Sequence, residues 1–526
     1  MGSGRSKQYQ GTAAAAQSST SMADAKSMVA EFSKGLPMTR DLTDAKETMR
    51  VLEMASEIIK SGHPIQQFKD ACFGDAEGKN AGPSVVVSAV GSAESKMKMK
   101  ACGPFHMICI YAMYGEQNRI QTKEGHKNGQ DFIRMKAKQL EWLFEGETDK
   151  TWEIYAVDDG CPNDSKGLAR AIIEKDGLKN ITVLDLEDAV KEGIAYFTDR
   201  GLKAGCKESR KGGAILYGLY TASKKQDEKV PQLVMYTDSD LSTDMSLCGL
   251  LASGILDGHA MSMGARYGMP ETFLVKPPDY GASGHPLSHF EQPNMMKIAF
   301  RHYTRKRLLP MLASIYDTQC AFKCFHTKDV MPIIEQVKSM GADFDMELLL
   351  CALTYFKTQG REKMCHVSPT LFTEDFAESN FMASSEDPDK PFKTYAAMTT
   401  GLADMHERYI PADSPEAEAA KDFKEFCRGL TWEMYKNMIV KLEKDLGPTL
   451  FDYDFTLDQL KAASAGRCES RPPLLACFEE DRVWPAADSH VPDANKRERS
   501  TDRRPHAALR RSDAVVVDRL QSIKGL

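Results

Sequence analysis

Five short apolar runs, at 105–112, 153–157, 181–186, 232–237 and 260–265, alternate with longer amphipathic stretches such as 129–144 and 165–175. No other feature limits the fold as much. Strands separated by helices return to one sheet in parallel, so the pattern predicts an α/β fold with a mostly parallel sheet flanked by helices. Such sheets bind ligands beyond the carboxyl ends of their strands. Polar residues just after each apolar run are therefore the first candidates for a functional site.

The flanks read differently. The chain has 526 residues, room for more than this sheet. Residues 1–40 are rich in Ala, Ser, Gly and Lys and are expected to form a disordered tail. The tail begins Met1-Gly2-Ser3-Gly4-Arg5-Ser6, which matches an N-myristoylation pattern. A flexible terminus explains the same letters, and one acyl chain binds membranes only marginally. Residues 41–100 are expected to form a helical extension, with a helix over 43–61 capped by Asp41 or Thr43. The sheet-bearing domain is placed at 101–390. A second helical extension follows at 391–466, where Ser414-Pro415 opens one long helix striped by Phe423, Phe426, Leu430, Met434 and Met438 and ending near Gly447. Residues 467–526, rich in Arg, Pro and Asp, read as a second disordered tail.

Charge excludes one class of partner. Lysine plus arginine number 68 against 75 aspartate plus glutamate, a net −7. That balance gives no global attraction for nucleic acid, so any phosphate binding must be local. No stretch approaches the roughly 20 apolar residues that span a bilayer, and the N-terminus lacks a secretory pattern. The 13 cysteines lack paired metal-ligand spacings. Together these point to a reducing, cytoplasmic location, with peripheral contact to the cytosolic face of a membrane still compatible.

Three motifs follow the apolar runs. Val157-Asp158-Asp159-Gly160 places two carboxylates where they suit a nucleobase or ribose, and Gly160 permits a tight turn. The same letters also make ordinary turns. Arg210-Lys211-Gly212-Gly213 precedes a helical run over 215–223, and its cations and glycines suit a diphosphate approaching a helix N-terminus. Asp238-Ser239-Asp240 leaves the fourth run, where alternate residues can aim two carboxylates at one hard cation, Mg²⁺ or Mn²⁺, bridging a sugar nucleotide's diphosphate. Asp244 nearby suits either that cluster or a helix cap at Met245.

Further on, Gly264-Ala265-Arg266 precedes a polar segment, 269–293, with the length of an active-site lid. Arg301 and Arg305 lie four apart in a basic run and share a helical face, suited either to solvent or to an acceptor phosphate. Asp345 and Glu347, in Phe344-Asp345-Met346-Glu347-Leu348-Leu349, are candidates for a base or for the metal's surroundings. Either also suits an ion pair with a core arginine.

In this order the motifs resemble those of inverting GT-A glycosyltransferases that act on polyprenyl phosphates. The nearest likeness is to the dolichyl-phosphate beta-glucosyltransferases, and a more distant one is to the dolichyl-phosphate mannose synthases. The resemblance spans about residues 105–385 and includes Asn118-Arg119-Ile120, Asp317-Thr318-Gln319-Cys320-Ala321-Phe322-Lys323 and Thr373-Glu374. It implies a GT-A fold with Asp158 and Asp159 at the base and ribose and Lys211 by the diphosphate. It puts Asp238 and Asp240 at the metal with Gln319 in its coordination shell, and Arg266, Arg301 and Arg305 at the acceptor phosphate. UDP-glucose or GDP-mannose would be the donor.

Ser239, Ala321 and Ala265 stand where the family has alanine, glycine and serine, all small exchanges. The membrane-spanning anchor usual in the glucosyltransferases has no counterpart, which leaves the acceptor open. Three readings follow: hexosyl transfer to a polyprenyl phosphate, the same transfer to a soluble acceptor, and a non-catalytic protein that binds a sugar nucleotide or lipid phosphate. A phosphate acceptor is already an anion and needs little base; an alcohol would need a carboxylate such as Asp345 or Glu347.

Overall fold

The computed structural model describes residues 24–73, 82–202, 205–207, 209, 211–225, 229–266, 269–275, 300, 302–341, 343–373, 390–434, 437–438, 441 and 456–465. Gly2, Arg210, most of the 269–293 segment, Arg301, Glu374 and the 467–526 tail lie outside these residues.

The expected 1–40 tail is corrected over its last part, where residues 24–33 form a helix, α1. Ala25 and Val29, four apart, bury themselves in the core on one face of the sheet. Helix α2 (Ala45–Ser61) starts at Asp44, whose carboxylate accepts from the Lys46 amide at 2.9 Å. Asp41 accepts from the Thr43 amide instead, so neither expected residue is the cap. Helix α3 (Ile65–Phe73) leads to α4 (Ser84–Ala101). Three consecutive valines, Val85 to Val87, are poor helix formers, yet all are fully buried in α4, so packing overrides propensity. The 41–100 segment is therefore part of the core.

The strands are β1 (Phe105–Met113), β2 (Lys150–Asp158), β3 (Ile181–Asp185), β4 (Gln232–Thr237), β5 (Met261–Ala265), β6 (Phe273–Val275), β7 (Lys323–His326), β8 (Cys365–Pro369) and β9 (Leu371–Thr373). Seven form one sheet in the order β3-β2-β1-β4-β7-β5-β8, with only β7 antiparallel to its neighbours. A small parallel pair, β6 and β9, stands apart.

Between the strands lie α5 (Phe132–Phe144), α6 (Ser165–Asp176), α7 (Leu186–Lys191), α8 (Ala195–Thr198), α9 (Gly212–Ser223) and α10 (Cys248–Leu256). After β7 come α11 (Thr327–Ile334), α12 (Phe344–Thr358), α13 (Lys390–Tyr409), α14 (Glu416–Arg428) and α15 (Leu457–Ala465). The mostly parallel, helix-flanked sheet expected for a GT-A fold is thus present.

Strand β1 shows how the layers form. Ile108, Ile110 and Ala112 point into a core with α9, α11, α12 and the C-terminal helices. Met107, Cys109, Tyr111 and Met113 point into the opposite core with α2, α4, α5 and α10. This two-residue alternation between equally apolar faces is the mark of a central strand buried on both sides.

Two helical expectations change. The single long helix after Pro415 stops at Gly429, and helical residues resume only after Thr431, whose hydroxyl accepts from the Met434 amide at 3.3 Å. The basic run adopts a π-helical turn, Thr304–Leu308. In the 269–293 segment, residues 273–275 are strand β6.

Candidate functional site

Strand β1 sits where the sheet order reverses, with β2 on one side and β4 on the other, so a crevice opens at its carboxyl end. The register aligns Met113 with Asp158, and Tyr111 with Thr237 just before Asp238. The two acidic motifs therefore flank one strand end.

On the β2 side, Asp158 is fully buried. Its Oδ2 accepts from the Cys161 amide at 3.0 Å, while its Oδ1 has no hydrogen-bond partner among the described residues. Burial raises its pKa. A buried acceptor left open in this way fits a ligand N–H. Asp159 behaves differently. Its carboxylate accepts from the Ser209 hydroxyl and, at 2.6 Å, from the Lys211 amide. Burial pushes it up to about 6, opposed by those two hydrogen bonds and assisted by Asp158. Asp159, expected with Asp158 at the base and ribose, has bonds that tie down the start of α9.

That start is tight. Lys211 holds φ at +76° although it is not glycine, a strained conformation that the Asp159 contact helps maintain. A Cβ on Gly212 would come 2.5 Å from the Met340 carbonyl oxygen, and one on Gly213 would come 2.4 Å from the Ser209 hydroxyl. Only glycine lets the helix begin here.

On the β4 side, the Lys211 ammonium pairs with Asp238, joining the two motifs across the crevice. Burial works to raise the Asp238 pKa, but Lys211, with Arg266 and Lys136 behind it, outweighs burial and holds it low. Asp240 accepts from Arg119 at 3.0 Å and from the Ser242 amide at 3.1 Å. Arg119 is itself held by Glu116 through bonds of 2.9 and 2.8 Å, and Glu116 also accepts from the Ser239 hydroxyl at 2.9 Å. Sequence reasoning missed Glu116. The available signal was an acid three residues before Arg119 in the loop leaving β1. Asp244 does not cap the following turn; its carboxylate faces Arg40 and Gln139.

Among the described residues, no three His, Cys, Asp or Glu side chains are grouped to hold a metal. Asp238 and Asp240 offer two carboxylates. A pair suits a hard cation that keeps several waters and takes its remaining ligands from phosphate oxygens.

The remaining candidates divide. Arg266 lies at the end of β5, its guanidinium bound to the fully buried Asp317 at 2.8 and 2.9 Å and lying 5.2 Å over the Phe372 ring. Gln319 is in the turn two residues after Asp317. Arg305 is corrected: its side chain is fully buried, donating to the Ala313 carbonyl and to His302, and lying 4.4 Å over Tyr316. It secures its own turn and does not present a charge to an acceptor. Arg301 falls outside the described residues.

The two carboxylates expected as a base or in the metal's surroundings are both bonded within the fold. Asp345 accepts from the fully buried Lys323 at 2.8 Å and from the Tyr236 hydroxyl. Glu347, fully buried, accepts from the Lys338 and Ser339 amides, from Arg408 and from the Tyr409 hydroxyl. These bonds occupy Glu347 with the fold and commit Asp345 to neutralising Lys323.

No family model and no curated protein matches the chain. Solved structures similar to it include glucosyl-3-phosphoglycerate synthase of Mycobacterium tuberculosis, at 13% identity over 61% of this chain and 86% of that one, with a TM-score of 0.35. The same enzyme in complex with Mn²⁺, UDP-glucose and phosphoglyceric acid aligns at 12% identity over 59% and 83%, with a TM-score of 0.32. Mannosyl-3-phosphoglycerate synthase from Rubrobacter xylanophilus aligns at 13% over 60% and 77%, with a TM-score of 0.34. At such identities and scores none of them assigns an activity to this chain, whose own residues must do so.

Proposed function

We propose that this protein is a metal-dependent inverting glycosyltransferase that moves a hexose from a nucleotide sugar, with UDP-glucose the first donor to test, to an acceptor bearing a phosphate. The observation that carries this reading is the meeting of Asp158, Lys211, Asp238 and Asp240 around the end of β1. Asp158 Oδ1 would accept from the nucleobase, and Lys211 at the glycine-opened helix start would neutralise the diphosphate. Asp238 and Asp240, with Gln319 a candidate third ligand, would hold Mg²⁺ or Mn²⁺. Bound there, that ion supplies positive charge against the leaving diphosphate.

The acceptor oxygen would form its bond to the anomeric carbon as the bond to the donor's β-phosphate oxygen breaks, the electron pair leaving with the nucleoside diphosphate. The commitment of Asp345 and Glu347 to other partners favours an acceptor that is already an anion, since an alcohol would need a base. Arg266, oriented by Asp317, is the candidate contact for that phosphate, with Arg301 a second. A polyprenyl phosphate is the first acceptor to test and a soluble phosphate ester the second. No described helix is long and apolar enough to cross a membrane.

Incubation with Mn²⁺ and UDP-glucose should release UDP slowly, and faster with a short-chain polyprenyl phosphate or a soluble phosphate ester. Whichever acceptor accelerates release identifies the acceptor class. Tight nucleotide binding with no release or transfer from any donor would leave only the non-catalytic binding protein.

A further inference from the structure

The turn that follows the Asp238–Asp240 pair accepts a backbone bond, from the Thr373 amide to the Ser242 carbonyl at 2.9 Å, and is otherwise gripped by side chains from distant parts of the chain. The Leu241 amide, part of the peptide joining it to Asp240, donates to Gln130 Oε1 at 2.9 Å. The Leu241 carbonyl accepts from Arg40 Nη2 at 3.0 Å. Arg40 Nη1 reaches both oxygens of Asp244, at 3.0 and 2.9 Å, with both side chains nearly excluded from solvent. Gln139 donates to Asp244 at 2.6 Å and accepts from the Met245 amide at 2.9 Å. The two peptide planes after Asp240 are therefore fixed on one side by α5's neighbourhood and on the other by Arg40.

Arg40 is also anchored in its own right. Its amide donates to the Ser84 hydroxyl at 2.7 Å, and the Ser84 amide donates to the Met38 carbonyl at 2.9 Å, so the strand of chain around residue 40 lies against the start of α4. A buried guanidinium–carboxylate pair adds little net stability, because desolvation consumes most of the attraction. What it does supply is geometry. A planar fork can grip a carboxylate and a carbonyl together, which a lysine cannot.

We infer that Arg40, contributed by the N-terminal helical region, is a positioning residue for the Asp238–Asp240 metal site, setting where the Asp240 carboxylate points by locking the 241–244 turn. This rests on reading that pair as the metal site. It extends the functional unit to a segment some 200 residues before the carboxylates, with no contact to substrate or ion. Residues that orient metal ligands from behind typically change metal affinity by about 10–100-fold when replaced.

The test measures binding of Mn²⁺ directly, by the electron paramagnetic resonance signal of free Mn²⁺, with UDP present. It compares wild type with Arg40→Lys and Arg40→Gln and also measures UDP binding without metal and thermal melting. Mn²⁺ should bind about 10-fold or more weakly in both variants, while UDP binding without metal stays as in wild type. A purely structural arginine would instead lower the melting temperature and leave Mn²⁺ affinity of the folded protein unchanged, which would overturn the inference. If neither Arg40 variant folds, Gln139→Leu removes the other grip on Asp244 and decides the matter: unchanged Mn²⁺ affinity there rejects the role, and a weakened one supports it. Wild-type protein that binds no Mn²⁺ with UDP would reject the metal site itself, and Arg40's role with it.

Discussion

The Asp238-Ser239-Asp240 strand end and the Lys211-Gly212-Gly213 helix start face each other across the end of β1, yet they are held in different ways. The strand end is held by polar side chains. Arg40, Gln130 and Gln139 grip the turn after it, and the Glu116–Arg119 pair grips the motif itself. The helix start is held by close backbone approach. Gly212 packs against the Met340 carbonyl, and the 338–339 amides beside it are tied to Glu347, which Arg408 and Tyr409 of α13 hold in turn. One wall thus depends on the chain's N-terminal region and on charge, the other on its C-terminal helices and on volume. A functional site built this way should respond to mutation differently on its two sides.

The largest effect is expected at the strand end. Asp240→Ala should remove detectable metal-dependent UDP release, because one of only two carboxylates is lost. The melting curve should stay close to that of wild type, since the residue lies beyond the end of β4 and outside the core. Undiminished turnover in a folded Asp240→Ala protein would take the metal away from this wall.

On the other wall the first casualty should be stability. Glu347→Leu leaves the part-buried Lys338 and Ser339 amides and the Arg408 guanidinium without this acceptor. Unsatisfied groups of this kind cost about 1–3 kcal/mol each, so a loss of roughly 3 kcal/mol or more is expected in urea denaturation. The dependence of any residual activity on Mn²⁺ concentration should not move. A shifted Mn²⁺ dependence without loss of stability would return Glu347 to the chemistry. Gly212→Ala tests the volume claim with one methyl group. Its Cβ would lie 2.5 Å from a carbonyl oxygen that cannot swing aside. Overpacking of this sort costs about 1–3 kcal/mol, and nucleotide binding measured by calorimetry should weaken with it. Normal binding in that variant would mean that the helix start tolerates displacement.

The sequence revealed the two walls unequally. The 232–237 run is apolar, six residues long and followed at once by acids, so both β4 and its carboxylates were visible from letters alone. Strand β7 was not visible. It has four residues and begins with a lysine, whose charge Asp345 neutralises in the core. Arg40 stands 204 positions from Asp244, and no local pattern signals a pair so far apart. Asp345 and Glu347 were read as chemical groups because acids at a helix start attract that reading; residue type does not say which cation a carboxylate already holds. Glycines 212 and 213 were read as room for a diphosphate, while the structure gives them a second duty as room for Met340 and Ser209.

Asp159 crosses the comparison, since it is a titratable group whose hydrogen bonds reach the start of the volume-built wall. Burial pushes its carboxyl from an ordinary 3.8 up to about 6. The native state therefore binds this proton more tightly than the unfolded chain does. By linkage, Asp159 penalises stability above about pH 6, and the penalty fades as pH falls from 6 towards 3.8. The full penalty, from a shift of about two units, is roughly 3 kcal/mol. Nucleotide binding should run the opposite way. Only the ionised carboxylate can accept from both the Ser209 hydroxyl and the strained Lys211 amide, so protonation below about pH 6 should loosen the helix start. Affinity should then fall by up to about tenfold per pH unit. Acid should thus firm the fold at this residue while weakening the ligand, a pair of opposite slopes that general acid denaturation does not produce. Asp159→Asn should flatten both slopes relative to wild type between pH 5 and 7. Parallel losses of binding and stability in wild type, unchanged in Asp159→Asn, would show that the helix start is held by packing alone.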